Sequence, residues 1–98
     1  IDWSDTSQYI HSKIKALSFS PGTFAVLKGK RLKIYESKLT SKKSTHSPGT
    51  LIHSENKIMI SCLDYCLELA VVQFEGKKKM YGVDWYRGIN EKSGIKFD

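Results

Sequence analysis

Apolar residues near the start of the chain recur at the spacing of an amphipathic helix. Ser4 can cap this helix, and Asp5 in the first turn suits the positive end of a helix dipole. Pro21-Gly22 ends the helix and turns the chain. The apolar side chains of the predicted helix follow one another at i, i+4 and i+7, on one face: Ile10, Ile14 and Leu17.

Beyond Pro21-Gly22, short runs with strand composition are separated by turn signals. Lys28-Gly29 and Glu55-Asn56 are typical hairpin turns, and Pro48-Gly49 marks another turn. The predicted strands are 23–27, 31–39, 50–53, 57–62 and 66–74.

The second run, 31–39, is the most informative strand. Leu32 and Ile34 point to one face, because side chains alternate along a strand. Arg31, Lys33 and Tyr35 point to the other. One face is therefore expected to pack on a core, while the other presents two cations beside an aromatic ring. Tyr35 then either offers its ring for stacking on a partner or packs in the core or at its rim.

Three further segments complete the interpretation of the chain. Residues 40–47 are predicted to be a polar, mobile loop. A short helix is predicted over 82–87, ended by Gly88, and 89–98 are predicted to be a loose tail. Trp3 and Trp85 are expected to anchor the core.

Strands of this length without crossover helices favour an antiparallel arrangement that curls upon itself. We therefore predict a mainly β fold: a five-stranded antiparallel OB-like open barrel with an N-terminal helix and a short C-terminal helix. The 98 residues suit a single domain, 1–98. The chain opens with Ile1-Asp2-Trp3 rather than Met, so we expect a piece excised from a longer chain.

Charge indicates the class of partner. Sixteen Lys and Arg against ten Asp and Glu give a net charge of +6, which favours nucleic acid or an acidic membrane surface. A membrane partner is not expected, since the amphipathic helix is short and no apolar run approaches the roughly 20 residues of a membrane span. Residues 28–43 hold seven basic residues and one acid, and 77–79 are all Lys. The candidate residues for binding nucleic acid are Lys28, Lys30, Arg31, Lys33, Lys42, Lys43, Lys77, Lys78, Lys79 and Arg87.

No catalytic constellation is recognisable in the sequence. Asp64 and Glu68 share a face but flank no predicted cleft, and His11 is expected to be structural. Cys62 and Cys66 flank a predicted hairpin turn, so they are either buried thiols or a cross-strand disulfide. No spacing suits a metal, and we expect neither a metal nor a cofactor in this chain. The chain is therefore expected to bind rather than to catalyse.

Several motifs together resemble a known family. They are IDWS at 1–4, PGT at 21–23, GKRLKI at 29–34, VQFEGKKKM at 72–80 and DWYRG at 84–88. In this order they are similar to the C-terminal domain of methionyl-tRNA formyltransferases. Tyr81 is a departure, because the family often has a small residue such as Ser at the start of the last helix.

The resemblance implies a non-catalytic, OB-like tRNA-binding domain that positions the acceptor arm of initiator methionyl-tRNA. Formyl transfer from 10-formyltetrahydrofolate to the methionyl amine would be the work of an N-terminal catalytic domain with Asn, His and Asp, which is absent from this sequence. The expected location is the bacterial cytoplasm, or an organelle.

Two alternatives stay open. In the first, the chain is a C-terminal packing domain of a formyltransferase that acts on sugar nucleotides or uses formyl-folate. In the second, it is a purely structural interaction domain whose charges are scattered over its surface. The RNA-binding interpretation requires the two basic stretches to meet. It fails if Arg31 and Lys33 lie on the opposite side of the sheet from 77–79.

Overall fold

The N-terminal helix, α1, spans Ser7–Leu17 in the computed structural model of the chain, which describes residues 1–18, 20–89 and 94–98. Ile10 and Ile14 are each 1% exposed, which confirms the apolar stripe. The predicted cap is wrong by two residues. Thr6 is the N-cap and accepts a hydrogen bond from the Tyr9 backbone N–H at 3.3 Å, while Ser4 bonds to the side chain of Asp2 in the preceding turn.

The described strands form one antiparallel sheet, which confirms the mainly β class with a helix at each end of the chain. The strands are β1 Thr23–Leu27, β2 Lys30–Lys43, β3 Leu51–Ser54, β4 Lys57–Ser61, β5 Tyr65–Phe74 and β6 Lys79–Tyr81. Their order is β1-β2-β5-β4-β3, and β6 pairs with the second half of β5. The predicted count of five misses β6, because three residues are too few to show alternation.

The predicted loop at 40–47 is wrong over its first half. β2 continues to Lys43, which pairs with Tyr65 at the start of β5. The Thr40 hydroxyl donates to the Cys66 carbonyl at 2.6 Å. Strand pairing uses backbone groups, so β5 can hold a polar segment whose side chains give no apolar signal.

The core lies on the inner face of the curved sheet. Trp3 and Trp85 are 3% and 4% exposed, as predicted for core anchors. β4 departs from the predicted alternation, because Met59 and Ser61 are buried together with Ile58 and Ile60. The other fully buried side chains include Ile10, Ile14, Leu32, Ile34, Ile58, Ile60, Leu67, Leu69 and Val72.

The second helix, α2, spans Gly82–Gly88, so Gly88 is its last residue rather than the residue after it. A glycine is needed at its start, because a Cβ on Gly82 would lie 2.1 Å from the Leu69 carbonyl oxygen. The N-cap residue Tyr81 makes no capping bond through its side chain. Among the described residues, no helix combines the length and the apolar character needed to cross a membrane.

The predicted loose tail is wrong for residues 95–98, while 90–93 lie outside the described residues. Ile95 and Phe97 are 8% and 2% exposed. The Leu51 N–H donates to the Ile95 carbonyl at 2.9 Å, and the Asp98 N–H donates to the Val26 carbonyl at 3.0 Å. Residues 95–98 therefore link β3 to β1, the two outer strands of the open sheet.

Candidate nucleic-acid interface

Two basic turns lie at the same end of the sheet. β2 and β5 are antiparallel, and Leu32 near the start of β2 pairs with Phe74 at the end of β5. The Glu75 N–H donates to the Arg31 carbonyl at 2.9 Å, so the turn after β5 lies beside the start of β2. The β1–β2 turn carries Lys28 and is followed at once by Lys30, the first residue of β2, and the β5–β6 turn carries Lys77 and Lys78.

One row of paired residues crosses four strands on the outer face, opposite the buried Leu32 and Ile34. Residues that pair directly across antiparallel strands have their side chains on the same face. The row runs through β1, β2, β5 and β6 as Phe24, Lys33, Gln73 and Lys79. Together with Arg31 and Tyr35 we call these six side chains the basic face.

Tyr35 joins the two basic stretches. The Lys33 Nζ lies 4.6 Å from the centroid of the Tyr35 ring, and the Lys79 Nζ lies 4.4 Å from the same centroid. The pairing of β2 with β5 shifts register between Ile34 and Glu36, so Tyr35 occupies a bulge. The structure thus brings cations from 31–33 and 77–79 onto one side of the sheet.

Hydrogen bonds fix the ring and the adjacent turn. The Tyr35 hydroxyl donates to Gln73 Oε1 at 2.9 Å, and Gln73 Nε2 donates to the Lys77 carbonyl at 3.0 Å. Gly22 leaves room for the Lys33 stem, because a Cβ on Gly22 would lie 2.7 Å from Lys33 Cε. One glutamine therefore holds both the aromatic ring and the turn that carries the lysines.

A second cation–aromatic pair lies beside the first. The Arg31 guanidinium carbon is 4.4 Å above the Phe24 ring. The nearby acid Glu75 accepts a hydrogen bond from the Arg31 backbone N–H at 3.2 Å. A groove of about 230 Å³ beside these groups is lined by Phe24, Arg31, Lys33, Gln73, Phe74, Glu75 and Gly76.

A larger groove of about 580 Å³ borders Tyr35 and Lys79 on their other side. It also contains Glu36 and Asp84, whose carboxylates would repel a phosphate. A polyanion is therefore better accommodated over the basic face than in this larger groove.

Three predicted site residues lie elsewhere. Lys42 and Lys43 are at the opposite end of β2, where Lys43 faces Tyr65. Arg87 lies on α2, where its Nη2 donates to Asn56 Oδ1 at 3.3 Å and its Nη1 is 3.8 Å from Asp84 Oδ1. The sequence pattern missed Phe24 and Gln73. Alternation in β1 agrees with Phe24 on the outer face, but alternation counted from the buried Leu67 and Leu69 would assign Gln73 to the inner face. The register shift between Glu36 and Ser37 reverses this, so Val72 is buried and Gln73 lies on the outer face.

The groups considered for catalysis have structural contacts. Asp64 accepts hydrogen bonds from the Ser7 N–H at 2.9 Å and the Tyr65 N–H at 2.7 Å. The hydrogen bond from Ser7 holds the pKa of Asp64 below its usual value. His11 Nδ1 is 2.8 Å from the Ser37 hydroxyl, a contact between α1 and β2.

The cysteines are free, buried thiols, which decides between the two alternatives that the sequence left open. Burial raises the pKa of the Cys62 thiol to about 12, and the negative charge of Asp64 adds to this effect. A thiol with so high a pKa is protonated at neutral pH and is therefore a poor nucleophile.

Comparisons with known proteins agree with the motif pattern. Residues 1–90 match the model of the formyl transferase C-terminal domain family. A methionyl-tRNA formyltransferase of Clostridium tetani is 36% identical over 96 residues, 97% of this chain and 31% of the relative. The methionyl-tRNA formyltransferase of Lactobacillus johnsonii is 38% identical over 89 residues, which are 90% of this chain and 28% of the relative. That of Streptomyces avermitilis is 30% identical over 94 residues, which are 96% of this chain and 30% of the relative. The chain thus spans about a third of the length of the curated relatives it matches.

Proposed function

The chain belongs to the formyl transferase C-terminal domain family, and from this premise we propose that it is the tRNA-binding domain of a methionyl-tRNA formyltransferase. It would hold the acceptor arm of initiator methionyl-tRNA. A separate N-terminal domain of the same protein would transfer the formyl group from 10-formyltetrahydrofolate to the methionyl amine. The proposed location is the bacterial cytoplasm, and the relatives named above are bacterial proteins.

The observation that supports this proposal most is the meeting of Lys33 and Lys79 on Tyr35. Structured RNA is recognised largely through its shape, phosphates and 2′-hydroxyls, which long basic side chains can contact without reading bases. The basic face offers such side chains on a sheet whose inner side is packed. The two adjacent turns extend the same positive surface with four exposed lysines: Lys28, Lys30, Lys77 and Lys78.

The proposal predicts how strongly the affinity for tRNA depends on salt concentration. Each phosphate neutralised by a cation releases counterions, so affinity falls as salt rises. Four such contacts predict roughly a hundredfold loss of affinity between about 50 and 200 mM salt. Binding by this chain at physiological salt should therefore be weak, and the N-terminal domain would supply the remaining contacts.

The test is a fluorescence titration of an initiator tRNA transcript with the 98-residue chain at several salt concentrations. One variant carries Lys77→Gln, Lys78→Gln and Lys79→Gln. The matched control carries Lys38→Gln, Lys42→Gln and Lys43→Gln, which removes the same charge from the other half of β2. We expect the first variant to lose two to three units of salt slope, about one per phosphate contact.

The control should keep its salt slope and most of its affinity. Equal losses in the two variants would contradict docking at the basic face. If the wild-type chain fails to bind tRNA, the RNA-binding role is wrong. The alternatives of a packing domain in another formyltransferase, or of a structural interaction domain, would then be favoured.

A further inference from the structure

The geometry points to a phosphate clamp in which Tyr35 positions Lys33 and Lys79 as a pair. This inference rests on the proposed function, since it names the groups that would hold an RNA phosphate. We assign binding of the phosphate to the two ammonium groups, and to Tyr35 a positioning role that involves no contact with the RNA.

The first observation is the distance from each ammonium group to the Tyr35 ring. Both ammonium nitrogens lie within 4.6 Å of the same ring centroid, although the lysines belong to strands that are separated by β5. Both ammonium groups are positively charged, and the negative faces of one aromatic ring stabilise the two of them. A phosphate that contacts both ammonium groups would complete the neutralisation.

Preorganisation is the second step. A free lysine side chain has many rotamers, and ordering it on a ligand reduces affinity. The ring holds each ammonium group by one side, so donors on the other side of the nitrogen remain available to a ligand. The clamp therefore meets a phosphate with part of this ordering already done.

Hydrogen bonds through Gln73 fix the position of the Tyr35 ring. Its hydroxyl donates to Gln73 at 2.9 Å, and Gln73 also bonds the Lys77 carbonyl at 3.0 Å. Tyr35 is half-buried and has two ammonium groups against it, which leaves little of the ring for stacking on a base. We therefore favour a clamp over a stacking platform, and the experiment distinguishes the two.

The experiment measures binding of the 98-residue chain to two probes, an initiator tRNA transcript and inorganic polyphosphate, which has no bases. Tyr35→Leu removes the ring, and Tyr35→Phe keeps the ring without its hydroxyl. Tyr65→Leu is the matched control, since Tyr65 is an exposed tyrosine at the other end of the sheet. Far-UV circular dichroism checks that each variant is folded.

We expect Tyr35→Leu to weaken binding of both probes on the order of fivefold, because two lysine side chains would then have to be ordered by the ligand. The salt slope should not change, because every cation remains. Tyr35→Phe should stay within about twofold of wild type because the ring is retained. Tyr65→Leu should have no effect.

A measurement on the wild-type protein covers the case in which Tyr35→Leu does not fold. The ring should shift the ε-methylene proton signals of Lys33 and Lys79 upfield in the NMR spectrum, and polyphosphate should perturb both together. Normal shifts for these protons would overturn the clamp.

The remaining outcomes separate the proposals. A loss for tRNA but not for polyphosphate would mean that Tyr35 stacks on a base, and would overturn the clamp. Unchanged binding of both probes by Tyr35→Leu would overturn it as well. Wild-type binding of polyphosphate without binding of tRNA would refute the proposed function while leaving the clamp intact.

Discussion

The two ends of strand β2 have similar lysine content and different surroundings. At its start, Lys33 lies opposite Gln73, and Lys33 and Lys79 both contact the Tyr35 ring. At its end, Lys43 lies opposite Tyr65 and no second basic strand pairs with β5 there among the described residues. The comparison shows that the surroundings of a run of lysines depend on the partners that neighbouring strands supply, and only the first end has the arrangement that we propose for binding.

The far end has a structural role instead. Asp64 receives hydrogen bonds from Ser7 at the start of α1 and from Tyr65 at the start of β5. The Ser44 N–H donates to the Asp64 carbonyl at 3.0 Å, and the Ser44 hydroxyl accepts from the Cys62 N–H at 3.2 Å. These bonds join α1, the end of β2 and the β4–β5 turn.

Charge reversal at the two ends of β2 should give the largest difference in tRNA affinity. The pair Lys33→Glu and Lys79→Glu should lower affinity for tRNA by at least about a hundredfold, because two phosphate contacts become repulsive. The pair Lys42→Glu and Lys43→Glu changes the net charge equally and should cost about threefold, through the screened long-range field. Titrations at one salt concentration measure both, and similar losses at the two ends would contradict the comparison.

Asp64 should affect folding rather than binding. Asp64→Asn is expected to lower the free energy of unfolding by up to about 1 kcal/mol at pH 7, with tRNA affinity unchanged. Because the folded pKa of Asp64 is lowered, its stabilisation is complete above about pH 4 and is lost as pH falls through the folded pKa. Urea unfolding at several pH values should show wild type and variant converging in acid. A constant difference down to pH 2 would assign the effect to packing instead.

The smallest effect is expected at Arg87. Its side chain is 55% exposed and already contacts Asp84 and Asn56. Exposed ion pairs contribute little to stability, so Arg87→Gln should change the free energy of unfolding by less than about 0.5 kcal/mol. Affinity for tRNA should change by less than about twofold, because the side chain lies away from the basic face and the substitution removes only one charge. A tenfold loss would extend the interface to α2.

Residues with a strong local pattern were predicted well from the sequence. Alternation in β2 assigned Leu32 to the core and Lys33 to the surface, and the turn at Lys28-Gly29 has the positive φ angles expected of a tight hairpin. The prediction failed where structure depends on distant partners. β6 exists because β5 offers it an edge, and residues 95–98 are held by β1 and β3, so neither segment shows a pattern of its own.

The candidate site was predictable in composition and not in arrangement. The sequence indicated which cations are exposed, but the meeting of Lys33 with Lys79 depends on register across three strands. Gln73 makes two hydrogen bonds that no local sequence pattern predicts. Lys42 and Lys43 lie apart from the basic face because β2 continues to Lys43, whereas the sequence predicted a loop from residue 40.

The segment 95–98 has a further consequence for behaviour in solution. Unpaired strand edges are templates for intermolecular pairing and hence for aggregation. Backbone bonds from residues 95–98 engage Val26 on β1 and Leu51 on β3, the two outer strands. We expect a chain shortened to residue 94 to expose these edge groups to its neighbours and to self-associate more readily.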